Sequence, residues 1–243
     1  YRGVYGAIFD ENLRTVVIET VHNYNEELER SNESYIFFRE ILKLPKNVGQ
    51  TLSSMNELGV LSLVLPAFKE LNGFFQPGVY HCYTADEHTL LAINNLEKLE
   101  GEFSKLGKIF ASIIERDLLY FAVLFHDIEK PISIAGHEIL GSELVKTDME
   151  VLCYEKDEIQ LVSFLVRHHL TMEQNAFRRN LNDPQTLNNF ASIFTDIKHL
   201  DFLYLLTFAD LSAVSPVVWT QWKSDMLYEL YRKTKRMLEE KQT

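Results

Sequence analysis

Residues 121–130 read FAVLFHDIEK, an apolar run broken off by a histidine, an aspartate, a glutamate and a lysine. The apolar stretch begins at Leu118, so a helix here would be buried on most of its faces. His126 and Asp127 then sit where a core helix reaches something polar. A buried carboxylate beside an imidazole is costly unless both are paired or bind a metal. An adjacent His-Asp pair offers one nitrogen and one oxygen to an ion. Lys130, about one helical turn past His126, would project from roughly the same face, a suitable place for a charge that neutralises phosphate.

Other candidate ligands also lie among apolar residues in stretches that read as helical. His88 stands in DEHTLL, His137 in AGHEILG, His169 at the end of FLVRHHL, and Asp210 in YLLTFADLSAV. Nothing near Asp210 in sequence pairs with it, so it must find a distant cation or donor. Any one of these histidines could instead be a satisfied core or surface imidazole, and Asp210 a cap or a buried salt-bridge partner. Together, four histidines and two aspartates make a mixed nitrogen and oxygen set. Such a set suits Mn, Fe, Zn or Co more than Ca.

These side chains need a helical frame, and the patterning supplies one. Helices are expected over Ser34 to Leu44, ended by Pro45; over Asn47 to Leu58, ended by Gly59; and over Leu61 to Leu71, with Pro66 near its first turn. Gln76-Pro77-Gly78 reads as a turn. Thr84 with Glu87 three residues on has capping-box spacing and would open a helix reaching about Glu100. Further helices are expected over Leu106 to Ile114, Asp117 to Ile128, Gly136 to Cys153 and Asp157 to Leu170. Asp183-Pro184 should start another, followed by Asp201 to Leu211 and Trp219 to Glu240. Only residues 1–20 suggest strands: VYGAIF and RTVVIE flank Asp10-Glu11-Asn12 and could make a short hairpin. The class is all-α.

Composition narrows the function. The chain has 243 residues, 46% of them hydrophobic, and a net charge of −11. That acidity argues against nucleic acid or an anionic membrane as the main partner, since both select basic patches. No apolar stretch reaches the roughly 18–20 residues that span a bilayer. Two cysteines, Cys82 and Cys153, are too few for a disulfide framework and point to a reducing, cytoplasmic setting. The chain opens on Tyr1 rather than Met and reads as a fragment of something longer.

The order of histidines and aspartates resembles that of the HD superfamily of metal-dependent phosphohydrolases. The motifs YHCYTADEHT, FHDIEKP with GHEILGSE, FLVRHHLTM, RRNLNDPQTLNNFA, LLTFADLSAV and WTQWKSDMLYELY are similar to those of the HD domain in bifunctional PII uridylyltransferase/uridylyl-removing enzymes. LGVLSLVLPAFKELNGFFQPGVYH resembles the helical lead-in of that family. The resemblance covers about residues 50–235. It implies an HD-domain helical bundle over 80–243 behind a mostly helical extension over 1–79. It implies a core metal site of His88, His126, Asp127 and Asp210, with His137 and His169 completing a second metal position. Two divalent transition-metal ions (Mn, Fe, Zn or Co, with Mg admissible) would then activate a water for attack on a phosphodiester. Asp127 and Lys130 would be the catalytic pair, with Lys130 facing the phosphate. Arg178 and Arg179 would meet substrate. His169, being followed by Leu, matches the family's pattern better than His168, which is left a supporting role. The implied partner is a nucleotidylated PII-type protein or a nucleotide. Flanking nucleotidyltransferase and ACT domains would belong to a longer protein.

Three departures bear on this. Glu129 stands where the family often has a small residue. The family's Arg-Arg-Asp reads Arg178-Arg179-Asn180. No Gly-Ser…Asp-x-Asp nucleotidyltransferase signature is present. Removal of UMP from a PII-type protein is therefore weighed against hydrolysis of free nucleotides on the same site, and against a non-catalytic helical module. The site is expected to open near a loop at Thr171 to Asn182.

Overall fold

The computed structural model describes residues 2–23, 32–75, 82–215 and 217–242. Every regular element among them is helical. The N-terminal part holds α1 (Arg2–Tyr5), α2 (Glu11–Asn23), α3 (Asn32–Leu42), α4 (Val48–Glu57), α5 (Leu61–Val64) and a 3-10 helix (Pro66–Leu71). After it come α6 (Ala85–Glu97), α7 (Lys105–Ser112), α8 (Arg116–Phe125), α9 (His137–Val151) and α10 (Lys156–His168). The chain ends with α11 (Thr171–Arg178), α12 (Pro184–Ala191), α13 (Ile197–Val214) and α14 (Gln221–Gln242).

The two most apolar helices form the centre. All of Asp117–Phe125 on α8 is buried, and so is most of α13. Helix α6 packs on both, α10 on α8, α9 and α13, and α14 covers α11, α12 and α13. One continuous apolar core joins α3, α4 and the 3-10 helix, through Phe38, Leu52 and Phe68, to Phe121 and Leu205 in the bundle. Residues 32–71 thus share their core with the helices that follow.

Local chemistry explains most boundaries. Glu87 Oε2 accepts the Thr84 N–H at 3.1 Å, the return bond of the expected capping box, and α6 begins there. Asp183 Oδ1 and Oδ2 accept the N–H groups of Gln185 and Thr186, and Pro184 takes the first position of α12. Gly136, at φ 83°, provides the left-handed residue that admits the chain to α9 and sets His137 at its start.

Three expectations are corrected. Residues 2–20 carry α1 and most of α2 rather than a hairpin. Asp10 is a helix N-cap rather than a turn residue, its Oδ1 accepting the Leu13 N–H at 2.8 Å, and it starts α2. Leu61 to Leu71 is two short helices instead of one. Pro66 has no N–H and holds Leu65 at φ −120°, ψ 86°, outside the helical region. Helix α8 stops at Phe125 rather than Ile128, and residues 126–132 continue as turns. The Gln76-Pro77-Gly78 turn lies outside the described residues.

Candidate metal centre

The end of α8 makes the first part of the site. His126 is its C-cap, and its Nδ1 donates to the Val123 carbonyl, three residues back, at 2.7 Å. His169, the C-cap of α10, repeats the arrangement with Val166 O at 2.8 Å. His137 does the same with Ile134 O at 2.8 Å. A carbonyl only accepts, so each Nδ1 carries the proton and each neutral ring presents a lone pair at Nε2. The backbone thus fixes three tautomers, and all three Nε2 atoms turn to one carboxylate.

That carboxylate is Asp127, whose side chain is 3% exposed. Oδ1 lies 3.3 Å from His137 Nε2 and 3.7 Å from His169 Nε2. Oδ2 lies 3.3 Å from His126 Nε2 and 2.5 Å from Lys130 Nζ. His88, from α6, approaches Asp210 Oδ1, from α13, at 3.1 Å, and His126 Nε2 is 3.8 Å from the same oxygen. Two groups of possible metal ligands result: His88, His126 and Asp210, and Asp127, His137 and His169. Each draws on three helices or their ends. All six sequence candidates therefore converge, but the adjacent His126 and Asp127 divide between the groups. Lys130 reaches the same oxygen as His126 through a turn, not along a helical face.

Electrostatics fit a cation here. Burial works against a charged His126, yet Asp127 and Asp210 outweigh it and push the ring up to about 9. Burial would raise Asp127, but His126 and Lys130 hold it well below the usual carboxylate range. Asp210 is likewise held low against burial, by His88 and His126. Burial and the charge on His126 bring His169 down to about 4. Several buried ligand-type atoms have no hydrogen-bond partner, namely both ring nitrogens of His88, His126 Nε2 and Asp127 Oδ1. A divalent ion in either group would satisfy atoms that protein donors leave unserved.

A cavity of about 30 Å³ opens on the cluster. His88, Asp127, Lys130 and Asp210 share its wall with Phe74, Tyr83 and Val214. These three apolar and aromatic residues were missed by sequence reading. Tyr83 lies in the motif that holds His88, Val214 closes the motif that holds Asp210, and Phe74 lies in the lead-in segment, but none has a ligand's chemistry. Glu173 was missed too. It lies half-buried one turn after His169, its carboxyl raised by burial and by Asp210.

The other candidates fall elsewhere. Arg178 and Arg179 are exposed and do not line the cavity. The expected loop at Thr171 to Asn182 is mostly helix α11, stabilised by the packing of Met172 and Ala176 into the core. His168 turns to Phe164, with ring centroids 4.7 Å apart, and joins neither group. Glu129 is half-buried and lies outside both the cavity wall and the two groups.

Residues 85–202 match the HD domain family model, a span containing five of the six ligand candidates. The chain carries an HD domain. Over 226 residues it is 37% identical to the bifunctional uridylyltransferase/uridylyl-removing enzyme of Pseudomonas aeruginosa, covering 89% of this chain and 25% of that protein. The proteins of the same name from Cereibacter sphaeroides and Ruegeria pomeroyi are 34% and 35% identical, covering 93% and 96% of this chain. The chain spans about a quarter of the length of these curated relatives. No helix among the described residues is long and apolar enough to cross a membrane.

Proposed function

We propose that this HD domain hydrolyses phosphodiesters with two divalent transition-metal ions, one held by His88, His126 and Asp210 and the other by Asp127, His137 and His169. One observation carries the reading: buried Asp127 stands between the two groups, with ring nitrogens of three histidines around its oxygens. Bound ions of this kind supply an activated water and charge for the phosphoryl oxygens.

The chain's own residues do the rest. Asp127 orients both groups and holds Lys130 at the cavity wall. The Lys130 ammonium, kept charged against burial by Asp127, offsets charge on a phosphoryl oxygen. Phe74, Tyr83 and Val214 form the apolar and aromatic part of the wall beside the reacting centre. The phosphoryl group would meet His88, Asp127, Lys130 and Asp210 at this cavity, with the organic parts of the substrate on its rim. Arg178 and Arg179 would meet them only beyond the phosphate.

The substrate we infer is a UMP-tyrosine linkage on a PII-type regulatory protein. Support comes from the uridylyl-removing half of the relatives' shared name and from similarity confined to a quarter of their length. A phenolate leaves with little acid help, because its conjugate acid has a pKa of about 10. Two exposed unpaired cysteines agree with a cytoplasmic setting. The test compares Mn-loaded protein on a uridylylated PII-type protein and on free UMP. Faster release of UMP from the protein is expected. A strong preference for free mononucleotides would overturn the assignment in favour of a nucleotidase and leave the metal site standing.

A further inference from the structure

The seam between α4 and the bundle contains a cleft of about 280 Å³ that shares no lining residue with the cavity at His88 and Asp127. Its floor includes Phe110 and Tyr120, and its rim includes Lys46, Lys98 and Arg116. Tyr120 is 2% exposed, yet its hydroxyl makes no hydrogen bond to any described residue. Its oxygen still reaches the open cleft, where it is free to bond a bound molecule.

The charges around it are unevenly used. Glu97 is committed, its two oxygens accepting the N–H groups of Val48 and Gly49 at 2.8 Å each, so the α4 N-terminus already has its anion. Arg116 is committed to Glu100 at 2.5 Å and lies over the Phe110 ring. Lys98 bonds only the Asn95 amide oxygen, at 2.9 Å, and Lys46 is exposed; neither has a carboxylate partner among the described residues. In a chain of net charge −11, two unneutralised ammonium groups therefore border a cleft with an aromatic floor.

We propose that this cleft is a second binding site, for a small organic anion whose carboxylate or phosphate group meets Lys46 and Lys98 and whose body lies on Phe110 and Tyr120. The Tyr120 hydroxyl supplies the hydrogen bond that fixes its orientation. The occupant would touch α6 and α8, the helices that carry His88 and end in His126. The inference is independent of the reaction assigned to the metal centre.

Benzoate and phenylphosphonate are suitable probes, each a flat ring bearing an oxyanion and neither a phosphodiester. They would be titrated into the full, metal-loaded chain by ligand-observed NMR and thermal unfolding. Saturable binding is expected with at least one probe, weakened about tenfold in the Lys46→Ala/Lys98→Ala double variant, the size of one charge-assisted hydrogen bond. Tyr120→Phe should weaken it several-fold while unfolding no earlier than the parent without ligand, because its hydroxyl has no partner to lose. Lys130→Ala should bind the probes as the parent does. No saturable binding, equal affinity in all variants, or loss confined to Lys130→Ala would each overturn the proposal.

Discussion

His137 and His169 face each other with their Nε2 atoms 3.2 Å apart, while each Nδ1 is tied to a backbone carbonyl at 2.8 Å. In the neutral rings both facing nitrogens carry lone pairs, so the contact is repulsive unless a cation lies between them. A proton is a poor answer, since burial and the charge on His126 hold His169 down to about 4. A metal ion shared with Asp127 Oδ1, which lies 3.3 Å from His137, would resolve the conflict.

That geometry predicts unequal metal losses. Asp127 adjoins both groups, so Asp127→Ala should empty both positions, abolish hydrolysis and lower the melting temperature, because metal stabilises only the folded state. Asp210→Asn keeps the shape and should cost only the ion of the His88–His126 group, with activity lost and the fold retained. Metal content per chain, measured beside melting temperature, decides. A fully loaded, active Asp127→Ala protein would rule the site out.

Lys130 should separate binding from turnover. Its ammonium bonds Asp127 Oδ2 and lines the cavity, but it is not a possible metal ligand while charged. Lys130→Ala is expected to keep its metal and lose roughly a hundredfold in kcat, the usual cost of removing one preorganised donor. Arg178→Ala and Arg179→Ala, both outside the cavity wall, should raise KM with little change in kcat. A kcat effect from either arginine equal to that of Lys130 would contradict this division.

The sequence made the helices legible wherever punctuation was chemical. Thr84 with Glu87, and Asp183 with Pro184, mark starts that the backbone obeys. It misled at RTVVIE, where β-branched residues suggested a strand but Asp10 capped a helix. The six candidate ligands were legible as types in apolar surroundings. Their division into two groups was not, because it depends on how α6, α8, α9, α10 and α13 cross rather than on spacing. Phe74 and Val214 reach the cavity from distant parts of the chain and carry no chemical signature of their own.

Asp86 should anchor the helix that carries His88. It is buried in the first turn of α6, where Oδ2 accepts from Asn56 Nδ2 at 2.9 Å and Oδ1 from the Gly73 N–H at 3.1 Å. Asp86→Ala leaves both donors without their partner. A loss of about 1–3 kcal/mol is expected from chemical denaturation. An unchanged midpoint would show that solvent replaces both bonds.

Asp117 offers a pH dependence outside the metal centre. It is buried in the first turn of α8, and burial raises its pKa above the ordinary 3.8. Lys43 partly offsets this and Glu158 adds to it. In the unfolded chain the carboxyl ionises at its ordinary, lower pKa. Rising pH therefore favours the unfolded state through the window between the two values, and the penalty is complete above the folded pKa. Below the unfolded value, about 3.9, it vanishes. Asp117→Asn removes the titration and keeps the shape. Its melting temperature relative to the parent should accordingly be most favourable at neutral pH, and that advantage should fade as the pH falls toward 4. Unfolding scans of both proteins at pH 7 and pH 4 provide the check, and a difference that does not change between them would show that burial of the ionised carboxylate carries no cost at this position.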